Sequence, residues 1–229
     1  MAVYRIAVDG PAGAGKSTLA KLIAEKLHID YIDTGAMYRA IALKLLRTGT
    51  DHNDAEALAA LLAGTDVDFD SGKTLLDGED VSGLIRTQEV SEMASASSAV
   101  QAVREKLVAL QQAMGRRKSI IMDGRDIASK VFPDAELKFY VTARSDVRAQ
   151  RRAEDMKAAG QPCDPVQIQK EIEARDYRDM HREVSPLTQV PEAIVVDTSF
   201  RTIPQSIAFM MGHIEEYFKK AGINAAKGE

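Results

Sequence analysis

At 229 residues the chain is long enough for one good core with a small appended lobe, and its aliphatic-rich, Trp-free composition fits α/β layers better than an all-β sandwich. The net charge of −4 lacks the basic excess that bulk nucleic-acid binding needs, so no nucleic-acid partner is expected. No apolar run reaches the length of a membrane span, and the opening "MAVYRIAVDG" lacks the sections of a signal peptide, so a soluble cytoplasmic protein without a membrane partner is expected.

Residues 4–8, "YRIAV", read as a first strand. A helix follows over 15–28, with Leu19, Leu22, Ile23, Lys26 and Leu27 at helical spacing, and "IDYID" at 29–33 is a second short strand. Ala36 to Leu46 reads as a helix stopped near Gly49, and Asp54 opens another over "AEALAALLA". Residues 66–82 alternate with period two around turn residues, which predicts a small antiparallel ribbon. Residues 88–114 are mostly helical, with Val100, Val103, Leu107, Leu110 and Met114 as one apolar stripe. Strands are expected at 119–123 and 136–141, and helices over 145–158 and 165–181 with the polar break "AAGQPCDP" between them. The single cysteine in that break, Cys163, reads as a loop residue without a chemical role. A last strand at 193–197 and a last helix at 203–220 complete the pattern, and "AAKGE" is expected to fray. Strands alternating with helices imply a parallel sheet flanked by helices, with ligands at the carboxyl ends of the strands.

The segment Gly10-Pro11-Ala12-Gly13-Ala14-Gly15-Lys16-Ser17 fits G-x-x-x-x-G-K-[ST] at every fixed position, between a strand and a helix. Backbone N–H groups wrap a phosphate where no Cβ intrudes, which accounts for Gly10, Gly13 and Gly15. Lys16 supplies charge for the β- and γ-phosphates, the Ser17 hydroxyl suits Mg²⁺, and Thr18 is placed for an α-phosphate. A glycine-rich turn that binds nothing is the competing reading, and the flanking strand and helix weigh against it. The motif establishes a nucleoside triphosphate and leaves the reaction open, since switches, motors and kinases all use it.

"DTGAMYR" at 33–39 follows the second strand and starts a helix. Thr34 is the expected N-cap, and Arg39 lies one turn on, in reach of an anion at the same sheet edge. Capping alone, or an exposed charge, would explain either residue singly; together they point to a second phosphate site. "IIMDGRD" at 120–126 then ends an apolar strand with Asp123, the carboxylate expected near Mg²⁺ through water, and adds Arg125 and Asp126, which a metal does not require.

With these segments the chain resembles the bacterial cytidylate kinases, a family of nucleoside monophosphate kinases. The likeness rests on "DGPAGAGKST", "DTGAMYR", "LIRTQEVSEMAS", "VRE" at 103–105, "MDGRD", "VFPDA" and "RDYRDMHREVSPL" with the preceding Arg175, in order along nearly the whole chain. The resemblance implies a P-loop fold in a single kinase unit: a core of residues 1–33, 116–145 and 190–220, a monophosphate-binding lobe with the ribbon insert over 34–115, and a lid over 146–189. It implies phosphoryl transfer from ATP to CMP and dCMP, with Mg²⁺, in a monomer. The acceptor phosphate falls to Arg39, Arg125 and Arg182, beside Thr34 and Tyr38 of "DTGAMYR". The cytosine falls to Ser95, Arg104 and Asp126, and the ribose to Arg175 and Asp179. The chemistry agrees: guanidinium offers paired donors to phosphate, and a carboxylate accepts from cytosine N4 while arginine donates to N3 or O2. Uracil reverses that pattern, which costs on the order of a hundredfold when the polar groups are buried.

Arg175, Arg178, Asp179 and Arg182 fall at i, i+3, i+4 and i+7, one face of a helix. With Arg148, Arg151 and Arg152 on the preceding helix, they suggest a lid that closes guanidinium groups over the transferring phosphoryl. Departures from some relatives are small: Ser17 stands where some have Gly, and Thr34 where Ser is frequent, and both supply a hydroxyl. The nearest alternative is a P-loop kinase of another small metabolite, which would not need an aspartate–arginine pair suited to a pyrimidine edge. A GTP switch would need an N-K-x-D, which occurs nowhere in the chain.

Overall fold

The structure is a computed structural model that describes residues 3–70 and 72–223; the terminal "AAKGE" lies outside the described residues. Five strands, β1 (Arg5–Asp9), β2 (Asp30–Asp33), β6 (Ile120–Gly124), β7 (Leu137–Thr142) and β8 (Ile194–Asp197), form one sheet in the order β2-β6-β1-β7-β8. β1 runs parallel to β6 and to β7, and β7 parallel to β8. The interior strands β1, β6 and β7 are largely apolar and buried, as a sheet covered on both faces requires, while the edge strands β2 and β8 are more exposed. The register sets Val8 beside Asp123 and Asp9 beside Gly124, so the polar ends of β1 and β6 emerge together.

The chain divides into two compact units. One comprises Met1–Tyr31 and Lys118–Glu229, the other Ile32–Arg117. The core of the first joins Ile6, Val8, Ile121, Phe139 and Val141 of the sheet to Leu19 and Ile23 of α1 (Lys16–Leu27) and Met210, Ile214 and Phe218 of α8 (Ile203–Ala221). Thr202 and Gln205 close a reciprocal capping box at the start of α8. A satellite cluster of Ala149, Ala153, Ile168 and Ile172 joins α6 (Ser145–Ala158) to α7 (Pro165–His181). Asp164 caps α7 and Pro165 sits in its first turn, which fixes where this helix begins. Cys163 is half-buried against this cluster, its Sγ 3.5 Å from Ala153 O, and so has a packing role that its polar neighbours concealed.

In the second unit α2 (Thr34–Thr48) packs on α4 (Gln88–Ser97), with α3 (Ala55–Ala63) and α5 (Gln101–Arg117) beside them. The expected ribbon forms as β3 (Val67–Asp70), β4 (Lys73–Leu76) and β5 (Glu79–Asp80), antiparallel throughout. Lys44 and Arg47 of α2 pair with Asp77 and Glu79 and hold it to the helices. The helical stretch 88–114 breaks at 98–100. Its apolar stripe is interrupted, because Arg104 and Gln111 share the buried side with Val103 and Leu107. Among the described residues no helix is long and apolar enough to cross a membrane.

Candidate active site

The phosphate loop runs from Gly10 into α1. Gly10 has φ +147°, and a Cβ there would lie 1.9 Å from Val141 O, so the neighbouring strand β7 by itself requires this glycine. Gly15 has φ +93° and nothing within 4 Å of a would-be Cβ; its requirement is conformational. α1 begins at Gly15 without a capping side chain and without an acidic residue in its first turn. The helices α2, α3, α4, α7 and α8 are all capped by Asp or Thr. The exposed amides of α1 and its positive dipole end thus remain for an anion.

Lys16 is buried and donates from Nζ to Pro11 O at 2.7 Å, closing the loop on itself. Burial lowers its pKa to about 7; the Arg125 guanidinium adds to the shift, while Asp123 and Asp9 oppose it. Ser17 Oγ donates to Asp123 Oδ2 at 2.7 Å, and Tyr31 Oη donates to Asp123 Oδ1 at 2.8 Å. Sequence reading missed Tyr31, for which the tyrosine in "IDYID" was the only signal. The Ser17 hydroxyl and Asp123 carboxylate are a pair of hard oxygen donors at the phosphate loop. That set fits Mg²⁺, which takes one or two protein ligands and shares the rest with phosphates and water.

After β6 the chain turns through Arg125 and Asp126 into a single π-helical turn, Ile127–Val131, that periodicity did not reveal. Asp9 holds this turn: Ile127 N and Ala128 N donate to its two carboxylate oxygens at 2.9 and 2.7 Å. Burial raises the Asp9 pKa to about 7, opposed by those two hydrogen bonds. Asp126 is itself buried. Arg125 Nε donates to Asp179 Oδ2 of α7 at 2.9 Å. Arg175 and Arg178 are exposed on α7. Arg182 lies beyond the helix end with ψ 144° and donates from Nε to Ser185 O, so the expected one-face row of four stops at Asp179.

The three arginines of α6 divide. Arg148 is buried and hydrogen-bonded to Ala143 O and Ala12 O. Arg151 donates to Thr198 Oγ1 and Thr198 O, while Thr198 Oγ1 donates to Ala14 O, so this pair props the phosphate loop from β8. Arg152 is exposed and lines a cavity of about 680 Å³ with Gly13–Leu19, Arg148, Arg151, Thr198, Arg201 and Ile203. Arg201, over the Phe209 ring at 4.2 Å, was not singled out from the sequence.

In the second unit Asp33, not Thr34, caps α2: its carboxylate accepts from Ala36 N at 2.9 Å while Thr34 is buried in the first turn. A carboxylate at the helix start out-competes the hydroxyl because it also meets the helix dipole. Asp33 Oδ2 in turn lies 3.3 Å from Arg39 and 3.5 Å from Arg86. Arg104 is buried, donates to Ser98 O, and lies over the Tyr38 ring at 5.4 Å. Ser95 is exposed on α4.

The parallel sheet, the phosphate loop between β1 and α1, and the carboxylate at the end of β6 define a P-loop protein. The cytidylate kinase family model matches residues 6–216, and the chain belongs to that family. It is 46% identical over 213 residues to a cytidylate kinase of Symbiobacterium thermophilum, covering 91% of this chain and 94% of the relative. It is equally similar to a cytidylate kinase of Caldicellulosiruptor saccharolyticus, 46% over 226 residues, 97% and 99% of the two chains. Among solved structures, an uncharacterized protein from Eubacterium ventriosum shares the fold, with a TM-score of 0.55 at 13% identity over 94% of this chain and 99% of that one.

Proposed function

We propose that this chain transfers the γ-phosphoryl group of ATP to CMP and dCMP, giving ADP and CDP or dCDP. The observation that carries the reading is the convergence of Lys16, Asp123 and Arg125 at the carboxyl ends of β1 and β6 in a chain of this family. In the transfer, an acceptor phosphate oxygen forms a bond to the γ-phosphorus while the bond to the β,γ-bridging oxygen breaks and ADP leaves. The acceptor phosphate is already an anion at neutral pH, so no strong base is required. The chain's work is positioning and electrostatic stabilisation.

The phosphate loop, residues 10–18, takes the triphosphate, with Lys16 exchanging Pro11 O for phosphate oxygens. Ser17 and Asp123 would hold Mg²⁺, which when bound offsets charge on the phosphates. Arg39, Arg125 and Arg182 take the acceptor phosphate, beside Thr34 and Tyr38. Ser95, Arg104 and Asp126 read the cytosine, and Arg175 and Asp179 the ribose. The unit Ile32–Arg117 is assigned as the monophosphate-binding lobe and the α6–α7 hairpin as the lid, with Arg152 its phosphate-facing arginine.

ADP release measured across CMP, dCMP, UMP, AMP and small non-nucleotide metabolites tests this reading. Cytidine monophosphates should be the preferred acceptors. Asp126→Asn should lose CMP preference over UMP by on the order of a hundredfold. An unchanged ratio would move base recognition to another residue.

A further inference from the structure

The guanidinium of Arg148 joins three parts of the chain that are far apart in sequence. Its Nε donates to Ala143 O after β7 at 2.8 Å, its Nη1 to Ala12 O in the phosphate loop at 3.0 Å, and its Nη2 lies 2.6 Å from Asp176 Oδ2 on α7. The aliphatic stem lies under the loop: a Cβ on Gly13 would stand 3.5–3.9 Å from Arg148 Cβ, Cγ and Cδ. Both charged side chains are nearly enclosed, at 6% and 12% exposure. The other carboxylate oxygen, Asp176 Oδ1, is buried without a hydrogen-bond partner among the described residues.

Such a pair is a poor way to gain stability. Desolvating two charges costs about as much as their attraction returns, and an unsatisfied carboxylate oxygen adds to the cost. Its position indicates a different use. Asp176 neighbours Arg175 and stands one turn before Asp179, whose carboxylate accepts from Arg125 beside the strand-end Asp123. α7 is therefore fastened twice, to the phosphate loop through Arg148–Asp176 and to the end of β6 through Arg125–Asp179.

We infer that Arg148 and Asp176 are a positioning pair, which braces the phosphate loop from α7 and through that helix couples donor binding to acceptor binding. The coupling part rests on the proposed CMP kinase activity; the bracing part does not. A shift of Ala12 as the loop closes on a triphosphate is passed through one guanidinium to the helix that carries Arg175 and Asp179. An arginine is required because only its planar fork reaches two carbonyls and a carboxylate at once.

Calorimetric titration of wild type, Arg148→Lys, Asp176→Asn and the apolar double variant Arg148→Met/Asp176→Leu tests this. A non-hydrolysable ATP analogue and CMP are titrated, each alone and CMP again with the analogue bound. Wild type should bind CMP more tightly with the analogue present, by about five-fold or more. In all three variants that ratio should fall toward one, analogue affinity should weaken about tenfold, and CMP affinity alone should stay within about threefold. kcat at saturating substrates should fall at least about tenfold. The double variant should unfold at or above the wild-type temperature, which separates positioning from structural support. Folded variants with wild-type analogue affinity and coupling would overturn the inference. So would unfolding of all three, since the pair would then be structural. A wild-type ratio of one removes the coupling. A wild type that binds no CMP fails the functional reading instead, and analogue affinity then judges the brace alone.

Discussion

Arg125 and Asp179, 54 residues apart, meet at 2.9 Å through Nε and Oδ2, with each side chain 19% exposed. The contact uses Nε and leaves the distal edge of the guanidinium to Nη1, which reaches Gly124 O, and Nη2. Asp179 thereby fixes the direction in which Arg125 presents its remaining donors. Arg125→Ala and Asp179→Ala should each raise KM for CMP by tenfold or more, on the order of a lost charge-assisted hydrogen bond. Their double variant should be far less than additive, with an interaction of about 1–2 kcal/mol. Additive losses in that cycle would show that the two side chains act independently.

Lys16 is a buried ammonium that donates to the Pro11 carbonyl. Until a triphosphate arrives, the fold carries the cost of desolvating it. Lys16→Met should lower kcat by at least about a hundredfold. The nucleotide-free variant should melt at the same temperature as wild type or a few degrees above it. Thermal unfolding and turnover on the same preparation check both halves, and a fully active variant would remove Lys16 from the reaction.

Asp9 connects β1 to the turn that follows Arg125 and Asp126. Asp9→Asn places an amide N–H₂ against one of two backbone donors, which should cost about 1–3 kcal/mol. The pH dependence has a defined sign. The folded pKa, raised by burial to about 7, lies above the ordinary carboxylate value, so between about 4 and 7 the folded state binds the extra proton. This group's contribution to stability is therefore complete below about pH 4 and is lost as pH rises through 7. Denaturant titrations at several pH values should show the gap between wild type and Asp9→Asn narrowing from pH 5 to 8. A gap that widens would reverse the assignment.

Gly10 and Gly15 separate two kinds of glycine requirement. Gly10→Ala drives a methyl into Val141 O and should destabilise the chain by more than about 3 kcal/mol or prevent folding. Gly15→Ala meets no atom and should cost about 1–2 kcal/mol for its left-handed backbone, with a folded protein of weakened ATP affinity. Circular dichroism and nucleotide titration of the two variants distinguish these outcomes.

By itself the sequence determined what depends on near neighbours. Apolar spacing and the cap Asp54 placed the helices, the spacing of Gly10, Gly15, Lys16 and Ser17 announced the phosphate loop, and period-two runs marked the ribbon. Capping and periodicity act over three or four residues, so they can be read along the chain. Tertiary structure decided what depends on contacts between distant segments. It set Ser17 and Tyr31 on Asp123, and joined Arg148 to Ala12 and Asp176. It made Val141 a reason for Gly10 and tied Asp9 to a π-helical turn 118 residues away. Arg148, Arg151 and Arg152 are alike in sequence, yet two are tied to the cradle, Arg148 through Ala12 O and Arg151 through Thr198, while Arg152 is exposed. Their difference arises because burial and the direction of a guanidinium are set by which strand and helix pack beside α6, which no local pattern encodes.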